Sequence, residues 1–409
     1  MLFYFNFYSS FLLVFFIHTV VYGILFLIRY KRESQTSSLW LGLFLILAAL
    51  YISPWMLGFA GWYGTQPYRD LLFYLPFQHL FLIGPFIFFY VSSLFNPQFR
   101  LKGKLWLHFL PAALYLQYCL VMVMYDKLIV HGYYFLIREE DPDFADWYQI
   151  TGFLSMITYF IASIRYYYEY KRAIEAVMSN AAEFLFAWVR NFLVAFLLIL
   201  VAWLVIELAG LFFTFTYNSS WWYFLGFSLC CYYIAIAGYS NSVETRLFMK
   251  RGLFQSERSG YYLKSNTGSR LGYAAAVVEE IHLDDSPFLE EKEPEDYSEW
   301  KDRIEQLLKD ELLYQDPDLS LFDLAKKLTT NVSLLSKVIN RGFNSNFNDL
   351  INGYRIKQYV ELLNKGEHKK QTLLSLAFEC GFNSKTTFNR AFRKQTGLSP
   401  QQYIKSNKL

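Results

Sequence analysis

The distribution of apolar residues along the chain constrains its fold more than any other sequence feature. Up to about Ser242 the sequence consists of long runs of Leu, Phe, Tyr, Trp, Ile and Val, whereas from Val243 onward charged residues recur every few positions. The overall composition of 54% hydrophobic and 18% charged residues therefore averages over two different parts of the chain. Long apolar runs with little charge are typical of a membrane protein rather than of a soluble globule. We expect an all-α protein with a membrane half followed by a soluble half.

Seven stretches in the first half are long and apolar enough to cross a bilayer as helices. A helix rises about 1.5 Å per residue, so about 20 apolar residues span the hydrocarbon core. The stretches cover approximately residues 7–28, 39–59, 72–94, 105–124, 150–168, 192–215 and 221–239. The first stretch is expected to be a retained helix rather than a cleaved signal peptide, because no basic segment precedes it. The sequence thus predicts a seven-helix transmembrane sensor domain over residues 1–242.

Lys and Arg residues in the connecting segments predict the orientation of these helices. In multi-pass membrane proteins the cytoplasmic loops carry the excess of positive charge. One alternating set of loops holds 13 Lys and Arg residues, and the opposite set holds only three, namely Arg69, Lys127 and Arg138. This bias places the N-terminus outside and the C-terminal half in the cytoplasm. The predicted location is therefore the inner (cytoplasmic) membrane of a bacterium, with a multi-pass topology.

Ionisable residues inside the predicted spans are candidates for sensing a stimulus. Such groups are costly in lipid and often functional there. The candidate sensor residues are Glu207, His79 and His18. An alternative of equal weight is that they hydrogen-bond to neighbouring helices and fix the packing.

The longest predicted outside segment, residues 125–148, is rich in carboxylates. Its acidic residues after position 130 are Glu139, Glu140, Asp141, Asp143 and Asp146. They could bind a cation or a basic ligand, but runs of charge are usually solvated. We therefore favour a solvated acidic loop.

Residues 243–300 are predicted to form a cytoplasmic tether. This segment is basic between residues 246 and 262 and strongly acidic between residues 279 and 299, which is typical of flexible chain. An alternative is that the acidic strip competes with DNA for a basic domain. After it, apolar residues at helical spacing over 302–313 predict one amphipathic helix that packs on the following domain or on a second copy of the chain.

The soluble half contains an internal repeat. Residues 319–343 and 372–396 each read as a short helix, a turn and a second helix, which is the pattern of a helix-turn-helix unit. Ser320 followed by Asp323 predicts a capping box at the start of the first unit. The second helices correspond at a constant offset of 53 positions, which pairs Leu335 with Phe388. Residues 346–364 between the units predict one long linker helix.

The second helices of the two units are predicted to have a buried face and a DNA-binding face. Arg, Lys and Asn suit base edges, Ser and Thr suit bases or phosphates, and Leu can touch a thymine methyl group. The predicted DNA-binding residues are Ser333, Leu334, Lys337, Arg341, Lys385, Thr386, Asn389, Arg390 and Arg393. A basic, merely solvated face is the alternative, but residues 319–409 carry a net charge of +10 against +3 for the whole chain. That concentration of charge favours a phosphate-binding domain.

These residues resemble the AraC/XylS family of bacterial transcription regulators. The resemblance rests on SLFDLAKKL, LSKVIN, NGYRI and above all on GFNSKTTFNRAFRKQTGLSPQQY over residues 381–403. Small departures are Ser399, where Thr is commoner, and Ile404, where Arg is usual. The resemblance implies two helix-turn-helix units joined by a long helix, over residues 301–409, and sequence-specific DNA binding. Fusion to a multi-helix membrane sensor resembles an arrangement in regulators of Bacteroidetes.

We therefore expect a membrane-anchored one-component transcription regulator that responds to an unidentified stimulus. The expected partners are double-stranded DNA, the lipid bilayer, RNA polymerase, the stimulus or ligand, and a second copy of the chain as a homodimer. We expect no enzymatic activity, cofactor or metal, because the sequence has neither an HExxH motif nor a phosphate-binding glycine loop. The alternative is a membrane transporter or enzyme with an accessory DNA-binding tail.

Overall fold

The chain is helical throughout the part that the structure describes. The computed structural model describes residues 4–96, 99–135, 141–181, 185–210, 218, 220–251 and 297–407, without the side chains of 207–210 and 242–251. These residues contain no β-strand, in agreement with the all-α prediction. The chain divides into two compact units, Met1–Tyr167 with Ala187–Gly252 and Tyr168–Phe186 with Leu253–Leu409. Most of the predicted tether, residues 252–296, lies outside the described residues.

The first unit is built from long apolar helices. Their bounds are α1 Phe7–Glu33, α2 Thr36–Phe59, α3 Tyr68–Tyr74, α4 Leu80–Phe95, α5 Leu110–Met124, α6 Asp146–Val177, α7 Ala187–Gly210 and α8 Ser220–Arg251. Helix α2 packs against α1, α4 and α8 and is the most deeply buried of the long helices. Around it Phe rings interdigitate, as in the parallel stack of Phe160 on Phe196 at 4.5 Å between ring centroids. This aromatic packing fills the core of the unit.

Five described helices are long and apolar enough to cross a membrane, so the predicted count of seven is not confirmed. The five segments are Phe7–Glu33, Thr36–Phe59, Gly103–Val130, Ala187–Ile206 and Ser220–Asn241. Helix α4 is apolar but has only 16 residues. Helix α6 has 32 residues, but its Thr, Ser and Tyr side chains lower its mean hydropathy. Several apolar helices nevertheless remain, and they suggest insertion into a membrane.

The predicted third stretch, residues 72–94, is wrong as a single helix. It contains the end of α3, an extended segment at Leu75 and then α4. Pro76 explains the break, because proline lacks the N–H donor and disfavours helical backbone in the residue before it. The break leaves the N–H groups of Phe77 and Gln78 outside any helix, and both donate to a side chain described below.

The C-terminal part of the second compact unit, from residue 297 onward, contains seven α-helices among its described residues. They are α9 Ser298–Asp310, α10 Leu321–Lys327, α11 Val332–Lys337, α12 Phe347–Asn364, α13 Leu373–Glu379, α14 Lys385–Thr396 and α15 Pro400–Ser406. Side-chain caps begin most of them, including the predicted capping box of Ser320 with Asp323. The amphipathic helix predicted over 302–313 is α9, which begins and ends a few residues earlier.

Two hydrophobic cores hold these helices together, and α12 contributes to both. Phe347 and Ile351 belong to the first core, with α9, α10 and α11. Tyr359 and Leu363 belong to the second, with α13 and α14. The linker helix predicted over 346–364 therefore exists and supports both helix-turn-helix units.

Candidate functional site

Helix α14, the second helix of the second helix-turn-helix unit, presents a polar face. Ser384 caps its first turn by accepting a hydrogen bond from the Thr387 N–H at 3.1 Å. The structure places all five residues predicted for this helix on its exposed side, namely Lys385, Thr386, Asn389, Arg390 and Arg393. The opposite face, with Phe388 and Phe392, is buried. The sequence pattern thus separates the two faces of this helix correctly.

Aromatic packing fixes the orientation of α14. The Phe388 ring lies 4.7 Å from the Tyr359 ring of α12 and 5.4 Å from the Phe382 ring in the turn before α14. The Phe392 ring lies 5.6 Å from the same Tyr359 ring. Aromatic contacts of this kind add to the burial of apolar surface. The polar face is therefore carried by a helix with little freedom to rotate.

The corresponding helix of the first helix-turn-helix unit is α11, which is extended by a π-helical turn over Val338–Gly342. Asn331 caps it by accepting a hydrogen bond from the Leu334 N–H at 2.6 Å. Ser333 and Lys337 are half-buried, and Arg341 is exposed. A π-helical turn within a helix is often found at functional sites.

Leu334 does not belong to the exposed face, contrary to the prediction. Its side chain is 5% exposed and packs in the first hydrophobic core. The helical geometry explains the error, because successive residues are about 100° apart and Leu334 therefore lies only about 40° from the buried Val338. At the offset of 53 positions the equivalent of Leu334 is Thr387, which is also buried.

The same offset identifies two surface residues that the prediction missed. Ser336 corresponds to Asn389, and Asn340 corresponds to Arg393. Ser336 is half-buried and Asn340 is exposed, and the Asn340 side-chain amide donates to Ser336 Oγ at 3.4 Å. Both lie on the same side of the helix as Lys337. Applying the repeat strictly would have included them.

The second helix-turn-helix unit is held against the segment before the first unit and against the linker helix by close contacts. Gly381, in the turn of the second helix-turn-helix unit, has φ +92°, and a Cβ added there would lie 2.5 Å from the carbonyl oxygen of Tyr314, which precedes the first helix-turn-helix unit and packs in the first hydrophobic core. Lys394 of α14 forms a 2.7 Å ion pair with Asp349 in the first turn of α12. Only a residue without a side chain allows the first contact, since Cβ atoms do not approach so closely. The spacing between the two polar faces is therefore fixed.

The candidate sensor residues lie in different parts of the first compact unit, which contains the long apolar helices. The His18 ring of α1 lies between the rings of Tyr22 and Tyr232, with centroids 4.5 and 4.4 Å away, and neither ring nitrogen has a hydrogen-bond partner among the described residues. His79 is half-buried and precedes the first residue of α4, so it is at a helix end rather than within a span. Glu207 falls in the range of α7, and its side chain lies outside the described residues.

The acidic segment of the first compact unit, residues 125–148, was predicted to be a solvated loop. Its described residues contradict this prediction. Asp141 and Asp143 are buried, while Asp146 is exposed and residues 139 and 140 lie outside the described residues. Asp143 accepts hydrogen bonds from the backbone N–H groups of Phe77 and Gln78 at 2.7 and 2.9 Å and from the Tyr115 hydroxyl. The carboxylate thus satisfies the donors that the break at Pro76 leaves free.

Asp141 and Asp143 influence each other. The Asp143 N–H donates to Asp141 Oδ1 at 2.9 Å, and the Tyr63 hydroxyl donates to Asp141 Oδ2 at 2.8 Å. Burial raises the pKa of both carboxyl groups above the usual range of aspartate, and the charge of Asp143 raises the pKa of Asp141 further. The pair therefore favours retaining a proton.

Comparison with protein families gives a match in the C-terminal part of the chain. Residues 324–406 match a family model described as a helix-turn-helix domain. Neither the curated proteins nor the solved structures include a significant match to the chain. The match begins within α10 and ends at the last residue of α15, so it includes both polar faces. The chain thus carries a helix-turn-helix domain over about a fifth of its length, which supports a DNA-binding transcription regulator.

Proposed function

We propose that this chain is a membrane-anchored one-component transcription regulator that binds specific DNA through α11 and α14. The observation that carries the proposal is the pairing of two helix-turn-helix units whose exposed faces bear Lys, Arg and Asn side chains at equivalent positions. Helix α12 has 18 residues and is about 27 Å long, close to the roughly 34 Å between successive major grooves on one face of the duplex. One chain can therefore contact two adjacent grooves.

Base recognition is assigned to the centres of the two faces. Arg390 and Asn389 on α14, and Lys337 on α11, carry the side chains that hydrogen-bond to base edges most specifically. Residues towards the ends of the helices, such as Lys385 and Arg341, are assigned to phosphates. The net charge of +10 over residues 319–409 adds sequence-independent affinity.

The first compact unit, Met1–Tyr167 with Ala187–Gly252, is proposed to be the membrane sensor. Helix α1 exposes an apolar stripe along its whole length, formed by Phe11, Val14, Ile17, Val21, Ile24 and Ile28. An apolar surface of this extent suits lipid rather than water. In the proposed topology α4 and α6 add two shorter or more polar crossings to the five apolar helices, which makes seven. The N-terminus is then outside and the DNA-binding domain cytoplasmic at the inner membrane, with RNA polymerase and a second copy of the chain as further partners.

The stimulus is proposed to act on the helices of the first unit. A stimulus shifts an equilibrium only if it binds two conformations with different affinity. His18, His79 and Glu207 are the candidate groups for that difference. Exchanging Glu207 for Gln should alter the transcriptional response and leave the DNA affinity unchanged.

DNA binding is tested with the full chain in lipid nanodiscs. Genomic fragments enriched by the wild type are used to compare Lys337→Ala/Arg390→Ala with Lys309→Ala/Lys365→Ala, whose lysines are exposed and outside both faces. We expect the first pair to weaken binding about 100-fold, since each lost base contact costs about 1–3 kcal/mol, and the control pair to weaken it only a few-fold. Equal losses in the two pairs would indicate charge attraction alone and would refute the assignment of the reading faces.

A further inference from the structure

A short segment at the C-terminal end of α6 is buried in the same compact unit as the DNA-binding domain. Residues Tyr168–Phe186 belong to the second unit. Within them the stretch 177–181, here called the docking segment, is buried at every position, with Ser179 and Ala181 at 0% exposure. Connections between helices usually lie exposed on a protein surface. The burial of this one therefore requires an explanation.

The docking segment pairs with the residues that precede α10. Met178 forms an antiparallel bridge with Ser320, and the Ser179 N–H donates to the Leu319 carbonyl at 3.2 Å. The Asn180 side-chain amide donates to the Asp318 carboxylate at 3.2 Å. Ser320 is also the N-cap of α10. The segment thus contacts the first helix-turn-helix unit at the point where its first helix begins.

Apolar side chains reinforce this pairing. Val177, Met178 and Ala181 form a small buried cluster against Ile174 and Phe322. Phe322 lies in the first turn of α10. The contact therefore combines backbone hydrogen bonds with a packed apolar patch, which makes it more specific than either alone.

A polar row on the linker helix receives the other side of the docking segment. Asn348, Asn352 and Arg355 lie one helical turn apart on α12 and are all buried. The Asn348 side-chain amide donates to the carbonyls of Met178 and Ser179 at 3.2 and 2.7 Å. The Asn352 amide donates in turn to Asn348 Oδ1 at 3.1 Å. Asn348 thus donates to two backbone carbonyls of the buried docking segment, where an unpaired carbonyl would be costly.

Arg355 joins the docking segment to the rest of the domain. Its guanidinium donates to the carbonyls of Tyr314 and Asp316 at 2.6 and 2.7 Å and to Ser179 Oγ at 3.1 Å. A buried cation is costly unless its donors are satisfied, so each of these acceptors matters. A fourth acceptor is Asn352 Oδ1 at 3.3 Å, and one of the four, Ser179 Oγ, comes from the docking segment.

We infer that the docking segment is an intramolecular restraint on the DNA-binding domain, through which α6 controls how freely that domain engages DNA. Helix α6 is continuous from Asp146 to Val177, so the segment follows directly from a helix that begins in the first unit. The covalent route between the units after α8 passes instead through residues 252–296, whose sequence predicts a tether. The hydrogen bonds of the docking segment are to residues that precede α10 and to the linker helix α12. The proposed restraint therefore acts on the start of α10 and on α12.

The docking itself is tested by cross-linking the full chain in membrane vesicles, without DNA. Asn180→Cys/Asp318→Cys places two thiols where the side chains now meet, and Asn180→Cys/Lys309→Cys is the control, because Lys309 is exposed on α9. The native cysteines are buried or half-buried. With a short bis-maleimide we expect the first pair to react at least about tenfold faster than the control. Equal rates in the two pairs would overturn the inference.

A second variant loosens the segment without a change of side-chain size. Asn348→Asp replaces the donor to two carbonyls by an acceptor, and Asn364→Asp adds the same charge at an exposed position of α12. Hydrogen exchange of wild-type and variant chains in nanodiscs should show faster exchange of the Ser179 amide in Asn348→Asp alone. Unchanged exchange in Asn348→Asp would count against docking even if the cysteine pair failed to fold.

The restraint is tested by DNA affinity in the same nanodiscs, and this step rests on the proposed function. Asn348→Asp should bind enriched fragments at least about threefold more tightly than Asn364→Asp, and the cross-linked cysteine pair should bind more weakly than the same pair before cross-linking. A DNA affinity that changes neither with Asn348→Asp nor with cross-linking would overturn the proposed restraint. Failure of the proposed function is recognised separately, because the chain would then cross-link as expected and bind no DNA in any form.

Discussion

At the scale of single residues, Leu334 shows how a surface face can be misassigned by one side chain. The residue lies between the polar Lys337 and the apolar Val338 on the helical wheel. The pattern of polar and apolar residues therefore does not decide whether its side chain is buried or exposed. The buried Thr387 at the equivalent position resolves it. The repeat therefore carried more information than the hydrophobic pattern of one helix.

Leu334→Ala should destabilise the first helix-turn-helix unit rather than change base preference. Removing a fully buried leucine side chain costs about 2–5 kcal/mol, through lost transfer energy and the cavity that remains. Thermal unfolding of the full chain, followed in the DNA-binding domain, should show a lower Tm, and Leu334→Met should restore most of it. An Ala variant of wild-type stability with altered sequence preference would return Leu334 to the reading face.

The buried carboxyl pair predicts that the stability of the first unit depends on pH. Burial raises the folded-state pKa of Asp141 and Asp143 above the unfolded value, so their contribution to stability is full at low pH and is lost as pH rises through the folded pKa values. The Tm in detergent should be about 3 °C or more higher near pH 5.5 than near pH 8. Asp141→Asn should flatten this dependence, and Asp146→Asn, at an exposed position nearby, should not. A Tm that rises with pH would contradict the burial of charge at this pair.

At the scale of elements, local signals predicted the helices of the soluble part well. Caps such as Ser320 and Asn346, and the glycine at position 381, act within a few residues and can be read directly from sequence. The break at Pro76 could also have been predicted from the same rules. The docking of residues 177–181 could not, because Asn348 and its two acceptor carbonyls are about 170 positions apart and no local pattern links them.

Two glycines with left-handed backbone separate local strain from contact between elements. Gly381→Ala introduces both an unfavourable φ and a Cβ 2.5 Å from the Tyr314 carbonyl oxygen, whereas Gly397→Ala introduces the unfavourable φ of +76° with open space around the Cβ. We expect Gly397→Ala to cost about 1 kcal/mol of unfolding free energy and Gly381→Ala several-fold more. Denaturant titration of the DNA-binding domain in the full chain measures both. Similar costs would show that the approach of Gly381 to Tyr314 is not tight.

At the scale of the whole molecule, composition predicted a membrane half and a DNA-binding half but not the number of spans. Helix α6 illustrates the difficulty, because its polar Thr, Ser and Tyr side chains suit a helix that packs against protein as well as one that crosses lipid. Its last ten residues, Tyr168–Val177, belong to the second compact unit, so this single helix contributes to both compact units. Hydropathy alone cannot assign such an element.

The charge bias between the loops predicts the orientation of the chain, and this prediction can be tested independently of the count of spans. With 13 Lys and Arg residues in one set of loops and three in the other, residue 134 should face outward and residue 309 should be cytoplasmic. Tyr134→Cys and Lys309→Cys are suitable reporters, because both positions are exposed. A membrane-impermeant maleimide should label Tyr134→Cys in intact cells and Lys309→Cys only after permeabilisation, above the background from the native cysteines. The reverse pattern would place the basic domain on the side without DNA, and a transcriptional role would then require its release from the membrane.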